Sequence, residues 1–383
     1  MKKICFCTTI ADTLYSFFLG ASEYIHNHTD WEIYFICAED NYYTGFFPEY
    51  IHFYPIDIKR GISFDGAKVI RELKKIYIKE KFDLIQYSTP NMALFASVAA
   101  KEAGIPIRNY HAMGFRYLGS DGMMRKALKR IEKVTCNNST HIECVSKSNL
   151  ELGVKEKLFH KDKATVVWNG STGGVDLRRF DFENREKWKR EIRSDLGYSE
   201  DDFVYGFVGR ITKDKGINEL LTAFMRSNSG AKLLLLGSME NEDNGLDEAL
   251  IASAHQHPDI IFHKSVTDIE RYYAALDVLV LPSYREGFGN VVIEAGAVGT
   301  PAIVSDIPGP TDAIERDKTA FTVEPGSADK LEDAMLKIRE CDCKAMGCNA
   351  AKYVKEHFDS KVLNEKILER KLALFAEAAG GGI

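Results

Sequence analysis

The sequence predicts an α/β protein of two domains, each a mostly parallel sheet covered by helices. Three observations carry that expectation. Short apolar runs rich in β-branched and aromatic residues alternate with amphipathic helical stretches along the 383 residues, as repeated strand–helix–strand units do. A chain of that length is too long for one comfortable core. Midway, Asn169-Gly170-Ser171-Thr172-Gly173-Gly174 makes a turn-rich break, a highly charged stretch follows, and the alternation restarts at Phe203.

Each element follows from its own stretch of sequence. Strands are expected at Lys3–Cys7, Trp31–Cys37, His52–Pro55, Asp83–Tyr87, Ile107–His111, His141–Val145 and Ala164–Trp168. Helical periodicity marks Phe64–Ile78, Asn91–Ala103 and Met123–Val134 between them. Beyond the break, strands are expected at Phe203–Val208, Lys232–Leu236, Ile260–Phe262, Val278–Leu281, Ala302–Val304 and Ala320–Val323. Helices are expected at Ile217–Arg226, Leu246–Ala254, Thr267–Ala275, Asn290–Val298 and Ser327–Arg339. The domains divide as 1–172 and 173–358. Ligands of open parallel sheets sit at the carboxyl ends of strands, so the strand-end loops are where chemistry is sought.

Composition narrows the function classes. Hydrophobic residues make up 45% and charged residues 28%, ordinary for a globular protein. No apolar run approaches the ~20 residues of a membrane span. The opening Met1–Phe18 has two lysines before an apolar stretch, but Thr8, Thr9 and Asp12 interrupt it. It reads as a buried strand rather than a targeting segment. The eight cysteines lack framework spacing and suit reduced thiols in a cytoplasm. Cys341, Cys343 and Cys348 have the wrong spacing for a zinc site. Residues 1–170 carry 23 Lys+Arg against 19 Asp+Glu, and the remainder 27 against 37. The halves therefore suit different partners, and neither is basic enough for nucleic acid.

Two segments carry the chemistry. Gly206-Phe-Val-Gly209-Arg210-Ile-Thr-Lys-Asp-Lys215-Gly216 follows a strand and enters a helix. Glycines there let the backbone approach a ligand, and two cations at a helix start suit a diphosphate. Pro282-Ser-Tyr-Arg-Glu286-Gly287-Phe288-Gly289-Asn290-Val-Val-Ile-Glu294 follows the apolar strand ending at Leu281. Its glycines expose N–H groups at a helix start, and a glutamate within an apolar helix needs donors such as sugar hydroxyls. Read alone, either could also be a turn with solvated charges.

Together the segments resemble the G-R-x4-K-G loop and E-x7-E motif of GT-B glycosyltransferases of the GT4 type. Ile131–Cys136, Thr140–Ser146, Trp168–Phe180 and Tyr272–Gly287 are similar to the bacterial capsule, exopolysaccharide and O-antigen members, so the resemblance covers nearly the whole chain. It implies two Rossmann-like domains facing across a cleft, with a C-terminal helix over 359–383 packing back on the first, acceptor-binding domain. It implies a retaining hexosyltransferase using a nucleotide diphosphate sugar, with UDP favoured. The acceptor would be a saccharide on a polyprenyl diphosphate at the inner membrane face. The donor is a substrate, and no metal or other cofactor is implied. By position, Glu286 matches the acid on the donor sugar and Glu294 the acid on the ribose. Arg210 and Lys215 match the cations on the diphosphate. The backbone of Gly287, Phe288 and Gly289, beside Asn290, lies against sugar and phosphate, and Val266 presents its backbone to the base.

The first half departs from the family pattern. Thr8-Thr9 stands where many relatives have Gly-Gly, leaving Thr9 as the phosphate-side candidate. His111 lies three residues before Gly114 rather than directly before a glycine, so it reads as an active-site residue or as a satisfied histidine at a strand end. Arg116 is a second candidate for a charged phosphate. The stretch Gly122–Val134 places Arg125, Lys126, Lys129 and Arg130 around apolar residues, the pattern of a helix on an anionic membrane surface or of a packed helix with a solvated basic face. Two other functions share the fold: a nucleotide-sugar 2-epimerase-like isomerase, which usually lacks the acid matched by Glu294, and a non-catalytic sugar- or nucleotide-binding module.

Overall fold

The computed structural model describes residues 1–40, 42–59, 66–239 and 245–380. It divides into two compact units, one formed by Met1–Gly173 with Ser360–Ile383, the other by Gly174–Asp359.

In the first unit β1 (Lys3–Ile10) runs directly into α1 (Ala11–His28), followed by β2 (Glu32–Ala38), β3 (Ile51–Pro55) and α2 (Gly66–Glu80). Then come β4 (Leu84–Tyr87), α3 (Pro90–Glu102), β5 (Ile107–Ala112), α4 (Gly122–Asn138), β6 (His141–Cys144), α5 (Lys147–Lys155) and β7 (Ala164–Thr165). The seven strands are parallel in the order β3-β2-β1-β4-β5-β6-β7. The order reverses between β1 and β4, so the switch point lies at the carboxyl ends of those two strands. Their near-continuous apolar sequences follow from burial on both faces.

The second unit begins with α6 (Arg185–Asp195) and β8 (Val204–Val208), then α7 (Ile217–Ser227), β9 (Lys232–Leu236), α8 (Glu248–Gln256), β10 (Ile260–His263) and α9 (Ile269–Ala275). It continues with β11 (Val278–Leu281), α10 (Asn290–Ala297), β12 (Ala302–Ser305), β13 (Ala320–Val323), α11 (Ala328–Ile338) and α12 (Cys343–His357). Six parallel strands run β10-β9-β8-β11-β12-β13, and here the reversal falls between β8 and β11.

The final helix, α13 (Ser360–Gly380), belongs to the first unit and packs along α1. Phe375 meets Trp31 edge-on at 4.8 Å, and Leu374 is fully buried. Lys371, 1% exposed, reaches under the sheet to Glu143 at 2.8 Å and Gln86 at 2.5 Å. Burial alone would push the Glu143 carboxyl up, but the ammonium beside it outweighs that and holds it below its usual range.

Several elements differ from expectation. The strand expected over Ala164–Trp168 ends at Thr165, and Trp168 has φ +51°, where no strand continues. α1 arises where an apolar stretch was read only as a first strand; Leu14, Phe18, Ala21 and Ile25 recur at helical spacing on its buried face. Within the charged stretch before Asp202 lies α6. Its charges are structural: Lys189 and Arg193 pair with Asp277 at 2.8 and 2.7 Å, and Arg185 donates to the carbonyls of Leu276 and Val298. Phe64, expected to open a helix, and residues 381–383, expected to close the last one, lie outside the described residues.

Candidate functional site

The second unit gathers polar side chains at the carboxyl ends of β8 and β11, its switch point. After β8 the chain turns through Gly209 (φ +145°), makes a short 3-10 turn over Lys213–Lys215 and enters α7 through Gly216 (φ +74°). A Cβ on Gly216 would lie 2.1 Å from the Pro282 carbonyl oxygen, so no larger residue fits that close approach. The Tyr284 N–H donates to the Asp214 carbonyl at 2.9 Å, fastening the loop after β11 to the loop after β8.

The side chains repeat that fastening. Lys215 Nζ lies 2.6 Å from Glu286 Oε1, and the buried Ser283 hydroxyl donates to the same oxygen at 2.8 Å. Lys215 and Glu286 keep 18% and 13% of their side-chain surface. They are shielded enough for the charges to be felt strongly, yet open to a ligand. Asp214 accepts from the Thr212 hydroxyl at 2.6 Å and from Arg285 at 2.9 Å, with Arg210 at 3.9 Å. Burial would raise the Asp214 carboxyl, but Thr212 and the cations Arg285, Arg210 and Lys215 outweigh it and hold it below its usual value. Three cations thus stand among two carboxylates, a net positive patch. Arg285 and Asp214 were not singled out from sequence.

Glu294 lies one turn inside α10, half-buried, where the buried Tyr273 hydroxyl donates to it at 2.8 Å. Burial dominates and lifts its carboxyl above the usual range; Tyr273 and the charge of Arg179 oppose it. Gly289, at φ +91°, leads into α10. Phe288 is buried against Phe358 with ring centroids 5.3 Å apart, so its side chain anchors the loop and Gly287 and Asn290 remain half-exposed. Val266 sits half-buried in the loop between β10 and α9. Arg179 pins that loop through the Thr267 carbonyl at 2.6 Å and Glu270 at 2.8 Å. Sequence offered no signal for Arg179, because its partners lie about 90 residues on.

The candidates of the first unit fall elsewhere. Thr9 ends β1, and its N–H and hydroxyl both meet the Thr89 hydroxyl, at 3.0 and 2.7 Å across the switch point. His111 is 8% exposed, under the edge of Phe18, with Nδ1 3.3 Å from the Ser88 hydroxyl. Burial is the main force lowering its pKa to about 4, with Lys371 adding to it and Glu143 opposing, so it is neutral at pH 7. Arg116 lines a crevice between α3 and α4.

The basic helix is partly neutralised by its neighbours. Arg125 and Lys129 are not free surface cations: both bind Glu156, at 3.2 and 2.5 Å, and both lie over the Tyr117 ring. Lys126 and Arg130 are exposed. The helix is inverted in character, since it buries Glu132, Thr135 and Cys136 while exposing Met123 (86%), Met124 (50%), Ile131 (42%) and Val134 (43%).

Comparisons with known proteins agree with this architecture. Residues 189–354 match the model of the group 1 glycosyl transferases, and residues 28–172 match that of glycosyltransferase family 4. The capsular polysaccharide biosynthesis glycosyltransferase CapM of Staphylococcus aureus is 31% identical over 334 residues, covering 85% of this chain and 86% of its own. The UDP-Gal:alpha-D-GlcNAc-diphosphoundecaprenol alpha-1,3-galactosyltransferase of Escherichia coli is 25% identical over 330 residues, covering 81% and 80%. Among solved structures, Anabaena Alr3699/HepE in complex with UDP and glucose is similar in fold, with TM-score 0.78 at 18% identity over 97% of this chain and 100% of that one. With one family model over each half, and a relative 31% identical along most of both lengths, this chain belongs to the family 4 glycosyltransferases of GT-B fold.

Proposed function

We propose that this glycosyltransferase moves a hexosyl unit, with retained anomeric configuration, from a UDP-sugar to a polyprenyl-diphosphate-linked saccharide in bacterial surface polysaccharide synthesis. The observation that carries the donor side is the interlocked pair of loops at the β8/β11 switch point, where Arg210, Lys215 and Glu286 converge beside the start of α10. In transfer, the bond from C1 to the β-phosphate oxygen breaks and its electron pair leaves on the diphosphate. An acceptor hydroxyl forms the new bond to C1 on the face the diphosphate leaves, and its proton passes to the departing β-phosphate oxygen. Charge grows on the leaving diphosphate, and preorganised cations and N–H groups answer it without a bound metal. Glu286 would orient the sugar, Glu294 the ribose, and the Val266 backbone the base.

Relatives support the choice of substrates: one solved neighbour holds UDP and glucose, and the Escherichia coli relative uses a UDP-sugar and a diphosphoundecaprenol-linked acceptor. The exposed apolar and basic face of α4 favours a position at an anionic membrane surface, where such an acceptor resides. No helix among the described residues is long and apolar enough to cross a membrane.

A screen of nucleotide sugars, with and without lipid-linked saccharides, tests the reading by nucleotide release. Release that requires the acceptor, with the product anomer matching the donor, is the expected result. Release or epimerisation of the sugar without an acceptor identifies an isomerase instead, and donor binding with no turnover on any acceptor identifies a binding module.

A further inference from the structure

Outside the donor loops, the first unit holds a crevice of about 650 Å³ open to solvent, between the start of α3 and the inner side of α4. Its walls are mainly apolar, with Leu94 and Phe95 on one side and Leu128 and Ile131 on the other. Tyr110 and Glu132 also line it, joined by a 2.6 Å hydrogen bond. Burial lifts the Glu132 carboxyl to about 7, Tyr110 opposing, so this wall is only partly charged near pH 7. Arg116, half-buried, also lines it and has no ion-pair partner among the described residues. Ile131 joins the crevice to the exposed apolar residues of α4.

An unpaired guanidinium beside an apolar slot matches a molecule with an anionic phosphate on a hydrocarbon chain. We propose that this crevice is the acceptor's lipid subsite: the first isoprene units of a polyprenyl phosphate lie between α3 and α4, and Arg116 binds the attached phosphate. The inference rests on the lipid-linked acceptor proposed above and adds the residues that would recognise it. The occupant is a single lipid molecule, which distinguishes this site from general adsorption of α4 to a bilayer.

Calorimetric titration of the full chain with farnesyl phosphate, in the absence of vesicles, tests the site. Wild type should bind it, and inorganic phosphate should not displace it at equal concentration. Leu94→Trp fills the slot and should weaken binding at least tenfold. Ile131→Gln, at a position open enough to accept a polar side chain, should weaken it less. Arg116→Gln removes a charged hydrogen bond, worth roughly tenfold to a hundredfold. All three variants should keep the wild-type hydrogen-exchange protection of the β5 and α4 amides, which shows that the first unit folds, and should bind UDP as wild type does. Absence of farnesyl phosphate binding in wild type, binding indifferent to Leu94→Trp, or displacement by inorganic phosphate alone overturns the subsite.

A transfer assay separates this inference from the reading beneath it. Leu94→Trp should raise KM for a polyprenyl-diphosphate-linked saccharide while leaving KM for the same saccharide as a methyl glycoside unchanged. If wild type uses the lipid-linked acceptor and the variant's KM for it does not rise, the subsite falls and the acceptor class stands. If wild type uses only the methyl glycoside, both fall.

Discussion

Replacing Glu132 by Gln should make the first unit's stability less dependent on pH, and the size of the change follows from burial. Glu132 is 7% exposed, and the Tyr110 hydroxyl donates to it at 2.6 Å. Burial pushes its pKa up to about 7 from the ordinary 4.5, the Tyr110 hydrogen bond opposing. Between those values the folded protein keeps a proton that the unfolded chain gives up. Stability therefore falls as pH rises through that window and levels off above 7. At 1.36 kcal/mol per pH unit, the full loss is about 3 kcal/mol. The Gln amide oxygen can still accept from Tyr110, while its buried NH₂ costs about 1–3 kcal/mol at every pH. Glu132→Gln should thus be less stable than wild type at pH 4.5 and equal or better at pH 8, the difference between the two proteins swinging by about 3 kcal/mol. Hydrogen exchange of the β5 and α4 amides reads this unit by itself, and comparison at each pH cancels the other titrations. Parallel pH profiles would show that Glu132 is ionised in the fold, refuting the argument from burial.

Glu294→Ala should weaken UDP binding in calorimetry about tenfold to a hundredfold; because Tyr273 then loses its acceptor, Glu294→Gln is the fold control, and unchanged affinity in both removes this carboxylate from the site. Arg210→Ala and Lys215→Ala should lower turnover by roughly 10²–10³ at saturating donor, more than they weaken binding, and a chelator should leave wild-type turnover unchanged. Asp214→Ala, which removes the carboxylate that holds Arg285 at 2.9 Å and faces Arg210 at 3.9 Å, should weaken UDP binding more than UMP binding; tighter UDP binding would mean that Asp214 merely opposes the phosphates. Replacing Lys126, Arg130 and Lys133 together by Gln should reduce sedimentation with anionic vesicles, at about 1 kcal/mol per cation in low salt. Vesicle binding indifferent to both the substitutions and salt leaves α4 a plain solvated face.

The two loops at the β8/β11 switch point were legible because their pattern is local. Arg210 and Lys215 share one turn, Glu286 and Glu294 share another, and glycines at positive φ mark both. What surrounds them was not legible, since it depends on contacts made by folding. Asp214 meets Arg285 across 71 residues and Arg179 meets Glu270 across 91. Strands read well because parallel sheets buried on both faces require continuous apolar runs. α6 was lost in its own charges, whose carbonyl and Asp277 partners lie far along the chain. In α4 the sequence showed basic residues around apolar ones but not that Glu156, beyond the helix, binds two of them.

The pairing of Lys371 with Glu143 also sets a timetable for synthesis. The two residues are 228 positions apart, and a ribosome adding about 5–20 residues per second needs roughly 10–45 s to cover that distance. Throughout that interval the carboxylate buried on β6 lacks its ammonium, and burying it unpaired is strongly unfavourable. The first unit is therefore made first but completed last, after the whole second unit has left the ribosome. A nascent chain halted before residue 371 should expose that unfinished sheet to chaperones and proteases, however well its other residues are placed.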